Sequence, residues 1–350
     1  MTTFINGASR AAGAAGSTLV PRTVNLYRRH RVEGDKLHVV TCVSNPSRYE
    51  ARYRNAQAFI QHMLETPDVV LHVVEACFFG RPAELAGEGY HHYALPFGRE
   101  GEFFLKEGLL NYGFKKAAEL GAEKVAWVDA DVIFSRKDWA RETMLELDHY
   151  DVLQPWTHSV DLGPSGEILD NEHGNSVDRS FAHFFNHPIK GDWRQHYGYA
   201  WAARMDTLES LGGLIDWLVT GAADYFMALG FAGKLVARSD ELHSGKSKMD
   251  GKISEGFHQR LRGFGSACDE HIKGNLGVIG GQLSHLWHGP KAKRGYFTRQ
   301  GILDRNKFDP NTDVKANRFG IPVLAGNKPQ LIQDLRAFGR SRCEDSIDVG

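Results

Sequence analysis

The 350-residue chain has little cysteine and almost no net charge, and both shortages exclude classes of protein. Its four cysteines, Cys42, Cys77, Cys268 and Cys343, are far apart and form no CxxC pair. Neither a zinc cluster nor a dense disulfide framework is therefore expected, and a reducing compartment fits best. The formal net charge of -1 gives no overall positive potential for nonspecific binding of nucleic acid. A net charge does not exclude a local basic patch.

Long apolar runs are also missing. No uninterrupted run approaches the ~20 apolar residues that a membrane-spanning helix needs, and the first residues lack the apolar centre of a signal peptide. A cytoplasmic location is therefore expected. Residues 1–30 are rich in Ala, Gly and Ser and are predicted to form a flexible N-terminal arm.

The chain instead carries short apolar runs that alternate with helical patterns. β-Branched runs that end in turn residues predict strands at 35–45, 68–78 and 90–97. Helices are predicted at 47–64, with Ser47 as the N-cap, and at 102–121, which ends at Gly121. The next run, "KVAWV" (124–128), is apolar on both faces, as in a parallel strand covered on both sides. These features predict an α/β fold with a Rossmann-like, mostly parallel sheet flanked by helices.

The second half is more irregular. A strand is predicted at 150–156, a strand followed by a helix at 196–218, and helices at 221–233 and 328–339. No clear linker precedes this half, so it is assigned to the same domain. The predicted organisation is the flexible arm (1–30), one catalytic domain (31–307) and a C-terminal extension (308–350).

Two carboxylates, Asp129 and Asp131, interrupt the apolar run directly after the fourth predicted strand. Residues i and i+2 of an extended segment lie on one side, so both side chains can face one site. Ligands of open α/β sheets bind beyond the carboxyl ends of strands, and hard oxygen ligands suit Mg²⁺ or Mn²⁺. The alternative is structural, with the aspartates capping the next helix or pairing with Arg136.

The segment 103–134 resembles the nucleotide-sugar-binding half of the GT-A glycosyltransferases, in particular the galactosyltransferase-like branch. The resemblance lies in the order of "LLNYGF" (109–114), "KVAWV" and "DAD" (129–131). It implies a Mn²⁺ or Mg²⁺ ion held against the diphosphate of a nucleotide-sugar, most simply a UDP-sugar. Asp131 would then bind the metal directly, and Asp129 would contact the donor ribose or reach the metal through water.

Members of that family commonly add a histidine ligand from near the end of the domain, and "SHLWHGPKAKR" supplies His285 and His288. His288 is preferred because Gly289 and Pro290 break regular structure there. His285 would point to the opposite side of an extended segment and act structurally. The basic residues that follow, Lys291, Lys293 and Arg294, are expected to neutralise the diphosphate leaving group, although a solvated basic loop is the commoner fate of such a run.

The resemblance also implies other contacts to the donor. The turn after the first strand would touch the nucleobase and ribose, although a simple helix-capping turn explains the same residues. Glu75 at the end of the second strand would accept a hydrogen bond from uracil or ribose, or else lie in a surface turn. The residues assigned to the donor are Thr41, Val43, Asn45, Arg48, Glu75, Lys106, Asn111, Asp129, Lys291 and Arg294.

On the acceptor side, "GYAWAARMDTLESLGGLID" and "GAADYFMA" resemble segments that carry the general base of inverting members. Asp224 is the first choice for this base and Asp216 the second, although the chain lacks the family's "WGGED"-like string. Tyr199, Trp201 and Trp156 either stack on a sugar or base or form ordinary core.

The long polar segment 171–187 is predicted to order over the donor as a lid. Its histidines, His173, His183 and His187, are weak evidence for a zinc site because no cysteines accompany them.

Three functions fit these residues. The first is a metal-dependent glycosyltransferase whose acceptor is a glycan, a metabolite, a protein or, since "HLWHGP" also resembles phage-encoded members, a modified base in phage DNA. The second is a sugar nucleotidyltransferase, which would normally carry a glycine-rich phosphate loop that "TCVSNPSRYEARYR" lacks. The third is a noncatalytic module that binds a nucleotide-sugar or carbohydrate.

Overall fold

The computed structural model describes residues 35–170, 176–188, 190, 195–246, 253–296 and 298–349. The predicted arm and His173 lie outside these residues. The strands are β1 (Leu37–Ser44), β2 (Val69–Phe78), β3 (His91–Phe97), β4 (Lys124–Val128), β5 (Val132–Phe134), β6 (Val152–Gln154), β7 (His158–Leu162), β8 (Ile168–Leu169), β9 (Asp178–Arg179), β10 (Ala200–Arg204), β11 (Leu276–Val278), β12 (Gln282–His285), β13 (Val314–Ala316) and β14 (Pro322–Leu324).

The first two helices follow the predicted order, whereas the third and several helices of the second half were not predicted. They are α1 (Glu50–Leu64), α2 (Lys106–Glu119), α3 (Trp139–Glu146), α4 (Phe181–Asn186), α5 (Met205–Leu211), α6 (Ala223–Phe231), α7 (Leu235–His243), α8 (Glu255–His271), α9 (Gly301–Arg305) and α10 (Pro329–Ser341). Among the described residues, no helix combines the length and apolarity needed to cross a membrane.

The main sheet has seven strands in the order β11-β6-β10-β4-β1-β2-β3. Four of its pairings are parallel, and only β10 runs antiparallel to its two neighbours, β4 and β6. Side chains of β4 alternate between two cores, with Val125 and Trp127 on one side and Ala126 and Val128 on the other. The prediction of a mostly parallel sheet covered on both faces is confirmed.

Close packing explains the glycine of "LLNYGF", which is Gly113. A Cβ on Gly113 would lie 2.3 Å from Val40 Cγ1 and 3.1 Å from Val74 Cγ2, so α2 could not rest this close to β1 and β2 with any other residue. Neighbouring Leu109 and Leu110 are fully buried. The segment therefore fixes the helix against the sheet, and the helix in turn carries Lys106 into the site described below.

A second sheet, in the order β5-β12-β7-β8 with β9 beside β7, brings distant polar residues together. In its register His285 on β12 lies between Val132 on β5 and Asp161 on β7. Since β5 directly follows the acidic pair, this pairing places His285 next to Asp131. The irregular second half predicted from the sequence thus contains its own sheet.

The beginning of α1 differs from the prediction. The helix starts at Glu50, so Ser47 is not its N-cap; instead the Asp345 carboxylate accepts hydrogen bonds from the N–H groups of Glu50 and Ala51 at 3.1 and 2.8 Å. A carboxylate at a helix N-terminus satisfies free donors and opposes the positive end of the helix dipole. Residues 36–350 form one compact unit by their contacts, and the division into a catalytic domain (31–307) and a C-terminal extension (308–350) stays a prediction.

Candidate active site

A cavity of about 1490 Å³ opens where β1 and β4 end. The turn after β1 and the acidic residues after β4 form one wall, and residues between Lys291 and Arg342 form another. This is the edge at which open α/β sheets bind ligands. The cavity lining includes acidic and basic side chains. One part of it, called the metal-binding end below, holds three side chains that could bind an ion, and the other is the Asp224 end.

The metal-binding end is formed by Asp131, His285 and His288. His288 Nε2 lies 3.2 Å from Asp131 Oδ2 and 3.2 Å from His285 Nε2, and His285 Nε2 lies 3.9 Å from Asp131 Oδ2. Ligand atoms of all three lie within 4.8 Å of one another, and both histidines are buried. An octahedral ion with bonds of about 2.1 Å separates adjacent ligand atoms by roughly 3 Å, so the triangle fits one divalent ion.

The protonation of these groups fits a metal as well. Burial lowers the pKa of His288 to about 4, aided by the charge of Arg294, so the ring is neutral and able to ligate at pH 7. Burial alone would raise the pKa of Asp131, but the hydrogen bond to His288 and the neighbouring His285 lower it. Within the described residues, the other polar atoms of two of these side chains, Asp131 Oδ1 and His288 Nδ1, are buried without a hydrogen-bond partner, so both side chains have unused hydrogen-bonding capacity.

The prediction that His285 points away from His288 is wrong. His285 is the last residue of β12, and strand alternation no longer applies to residues 286–288 because the chain leaves the strand there. The two imidazoles meet through their Nε2 atoms with their ring planes at 82°. His285 is therefore as well placed as His288 to bind an ion.

Asp161 on β7 is a site residue that the sequence analysis missed. Its carboxylate bonds His285 Nδ1 at 2.8 Å, accepts a hydrogen bond from Tyr199 Oη at 3.1 Å, and pairs with Lys291. A carboxylate on the far nitrogen of a histidine fixes the ring's tautomer and orientation for metal binding. The one available signal was an acidic residue in the otherwise strand-like "HSVDL".

Replacing Asp161 with Asn should weaken Mn²⁺ binding by about 10- to 100-fold, the usual cost of losing such an orienting partner. Titration calorimetry with Mn²⁺ would measure this effect. Asp170→Asn is the matched control because Asp170 lines the same cavity but accepts its hydrogen bond from Ser176. Unchanged Mn²⁺ affinity in the folded Asp161→Asn protein would remove Asp161 from the site.

Asp129 takes a different role from Asp131. Its Oδ1 lies 2.6 Å from Lys106 Nζ, and the same lysine lies 3.2 Å from Asp224 Oδ2. Burial would lower the pKa of Lys106, but the two carboxylates raise it well above its ordinary value. Asp129 does not join the metal-binding group of Asp131, His285 and His288, so one carboxylate of the pair meets a lysine and the other meets two histidines.

Several residues assigned to the donor from the sequence do not line the cavity. Thr41 donates its hydroxyl to Val128 O inside the sheet. Glu75 is buried, where it accepts hydrogen bonds from two backbone N–H groups and contacts His92. Arg48 also lies outside the lining. The assignments of Thr41, Glu75 and Arg48 to the donor are corrected accordingly.

Two further predicted residues, Asn111 and Asp216, pair with each other at 3.1 Å, away from the cavity lining. Asp216 is therefore not placed to act as a general base. Val43 and Asn45 do line the cavity, but the Asn45 side chain is held by the backbone of Tyr49. The turn after β1 is thus fixed by its own hydrogen bonds.

The predicted aromatic residues are mostly core. Trp156 and Trp201 are fully buried. Tyr199 borders the cavity with positive φ and stacks on His196 at 3.7 Å between ring centroids. His183 contacts the rings of His158 and His187 and, like His187, does not line the cavity.

Glu344, also missed from the sequence, connects the distal part of the chain to the metal-binding end. The buried carboxylate pairs with Arg52 and Arg342, and its Oε2 lies 3.9 Å from His288 Nδ1. Trp287 Nε1 donates to Ser346 O at 2.7 Å. Residues 343–346 therefore pack against the loop that carries His288, which no local pattern in the sequence indicates.

Glu344→Gln should destabilise the protein by about 3 kcal/mol at pH 7, because it leaves two guanidiniums without their buried partner. Burial would raise the pKa of Glu344, but Arg52 and Arg342 lower it to about 2, below the ordinary 4.5. The unfolded chain thus binds the proton first, so this stabilisation is complete above about pH 4.5 and disappears towards pH 2.

Denaturant unfolding at pH 7 and at pH 3 would measure the effect. The stability gap between wild type and Glu344→Gln should shrink at the lower pH. Glu119→Gln, which removes an exposed partner of Lys116, is the control and should cost less than about 1 kcal/mol. A gap of the same size at both pH values would contradict the assignment.

Comparison with known proteins gives only distant similarities. No protein-family model matches the chain, and no curated protein matches it. Solved structures that match include TarS from S. aureus (14% identity, 69% of this chain and 73% of that chain, TM-score 0.36). Glucosyl-3-phosphoglycerate synthase from Mycobacterium tuberculosis, in complex with Mn²⁺, UDP and phosphoglyceric acid, matches at 16% identity over 80% and 81% of the chains, with TM-score 0.36.

The catalytic domain of Drosophila β1,4-galactosyltransferase 7 in complex with xylobiose also matches, at 13% identity over 55% of this chain and 59% of that chain, with TM-score 0.29. These proteins belong to the class that the sequence resembles. Their similarity to this chain is too low to carry an argument about activity. The α/β architecture rests on the observed strand order, and the function rests on the residues of the cavity.

Proposed function

We propose that the protein is a metal-dependent glycosyltransferase that moves a sugar from a nucleoside-diphosphate donor, most simply a UDP-sugar, to an acceptor hydroxyl. The observation that carries this proposal is the meeting of Asp131, His285 and His288 at the strand-end edge of a large cavity. The resemblance of "LLNYGF", "KVAWV" and "DAD" to the GT-A enzymes supports the same activity.

The three side chains would hold Mn²⁺ or Mg²⁺. When bound, such an ion supplies positive charge that stabilises a departing diphosphate. Histidine nitrogens favour Mn²⁺ over Mg²⁺ among these ions. Arg294 is buried beside this group, and its Nε has no hydrogen-bond partner among the described residues. Its guanidinium would bind the donor phosphates directly.

In this proposal Asp224 is the carboxylate that would receive the proton. It lines the cavity beside Lys106, and Lys106 connects it to Asp129. In the proposed reaction the acceptor oxygen bonds to the sugar's anomeric carbon, the bond from that carbon to the diphosphate breaks, and the nucleoside diphosphate leaves with the bonding electrons. Asp224 takes the proton of the acceptor hydroxyl.

A panel of nucleotide-sugars, with Mn²⁺ or with EDTA, tests the proposal through release of the nucleoside diphosphate. We expect Mn²⁺-dependent release from one donor, at first by slow hydrolysis. Pyrophosphate release from a nucleoside triphosphate and a sugar phosphate would instead identify a nucleotidyltransferase. Binding of a nucleotide-sugar without turnover, even with an acceptor panel, would identify a noncatalytic module.

A further inference from the structure

Arg299 is a cation of the cavity wall that has no partner among the described residues. Its side chain makes no ion pair or side-chain hydrogen bond there, and its Nε is buried. The guanidinium lies over the rings of Phe104 and Tyr296, 5.9 and 5.2 Å from their centroids. The side chain is only partly exposed, and removing a guanidinium from water without an anion is costly, so a ligand anion is the natural complement.

Most other cations of the cavity already have partners. Lys106 pairs with Asp129 and Asp224, Lys291 with Asp161, Arg336 with Glu102, and Arg52 and Arg342 with Glu344. Arg294, which is buried, and Arg299, which is partly buried, remain without an ion pair in the described part of the chain. In the proposed function the donor diphosphate binds to Arg294. A second anion would then be needed as the partner of Arg299.

Both arginines contact Tyr296, since Arg294 Nη1 lies 3.4 Å from its Oη and Arg299 lies over its ring, but the two arginines have different charged neighbours. Arg294 interacts electrostatically with Asp131 and His288, whereas Arg299 interacts with Asp224 and Glu107. The Arg299 guanidinium also lies against the backbone ahead of α6, since a Cβ on Gly221 would be 3.3 Å from its Nη1. An anion bound by Arg299 would therefore lie beside Asp224.

We propose that the acceptor carries an oxyanion, a phosphate or carboxylate group, which Arg299 binds while an acceptor hydroxyl faces Asp224. The planar guanidinium offers two parallel N–H donors that match such an oxyanion. Phe104 and Tyr296 hold the guanidinium in place from its faces. This inference rests on the proposed function, because it assigns the donor to the Arg294 end and the acceptor to the Arg299 end.

The experiment uses the full chain saturated with UDP and Mn²⁺, titrated with inorganic phosphate and separately with acetate. Wild type should bind at least one of these anions, and the better binder identifies the acceptor group as a phosphate or a carboxylate. Arg299→Gln should weaken that binding by about tenfold or more, and Arg299→Lys should recover part of it. UDP affinity should stay within about twofold of wild type in both variants, and thermal unfolding would confirm that both are folded.

Arg340→Gln is the matched control because Arg340 is an exposed arginine of the same cavity. It should leave anion binding unchanged, whereas equal losses in Arg340→Gln and Arg299→Gln would show general charge attraction and reject the site. A fall in UDP affinity in Arg299→Gln would place Arg299 on the donor and overturn the inference. The two proposals fail separately: wild type that binds no UDP rejects the donor site, and wild type that binds UDP but neither anion rejects the acceptor site.

Discussion

His285→Ala and His288→Ala should each weaken Mn²⁺-dependent binding of UDP by at least about 100-fold. Loss of an orienting partner alone costs 10- to 100-fold in metal affinity, and loss of the ligand itself should cost more. The sequence alone predicted a large effect only for His288. The two Nε2 atoms lie 3.2 Å from each other and 3.2 Å (His288) and 3.9 Å (His285) from Asp131 Oδ2, and this closeness changes the expectation to two comparable losses.

Calorimetry with UDP, in Mn²⁺ and in EDTA, would measure these losses. His158→Ala provides the control, since His158 is a half-buried histidine outside the cavity lining. Wild-type affinity in His285→Ala would restore the single-histidine site predicted from the sequence. Wild-type affinity in both variants would show that the metal, and with it the donor, binds at a site away from Asp131.

Asp224→Asn should lower donor turnover by about 10²- to 10⁴-fold, the usual contribution of a general base, while UDP and Mn²⁺ still bind. Asn keeps the shape of the side chain and its contact with Lys106 but cannot accept the proton. Release of UDP from the donor identified by the panel, together with UDP calorimetry, separates the effect on turnover from the effect on binding.

Asp216→Asn is a matched substitution at a carboxylate that pairs with Asn111 outside the cavity lining. It should leave turnover close to wild type. Full turnover in Asp224→Asn would remove this carboxylate from the reaction. A parallel fall in UDP binding would show instead that Asp224 acts through Lys106 on the donor site.

The helices and strands that were predicted correctly are those whose sequence pattern is complete within the element itself. β1, α1, β2, β3, α2 and β4 follow one another with apolar spacings that are complete within each element, so their order and the sheet class could be read directly. Helix α8 was missed because its 17 residues include three glycines, which weaken the helical pattern. Its Ser254 cap and the buried Phe257 and Leu261 were the available signals.

The site was predicted in part for the same reason. Asp131 and His288 belong to short motifs whose spacing is visible in the sequence, and both lie in the metal-binding group. The partner of His285 is Asp161, 124 residues away, and that contact depends on the register of β7 beside β12. A side chain at a strand end is also free to turn, so alternation could not predict that His285 and His288 meet.

The cap that Asp345 places on α1 has a consequence for how the protein is made. Its hydrogen bonds to Glu50 and Ala51 join residues 294 and 295 positions apart, and the ion pair of Glu344 with Arg52 spans 292 positions. When the strands of the main sheet have emerged from the ribosome, Glu344 and Asp345 have not yet been synthesised. Contacts between residues so far apart in the chain form late. The nascent chain would therefore carry an uncapped first helix and an unsupported His288 loop until residues 343–346 emerge, so the proposed metal site should form only after those residues have been synthesised.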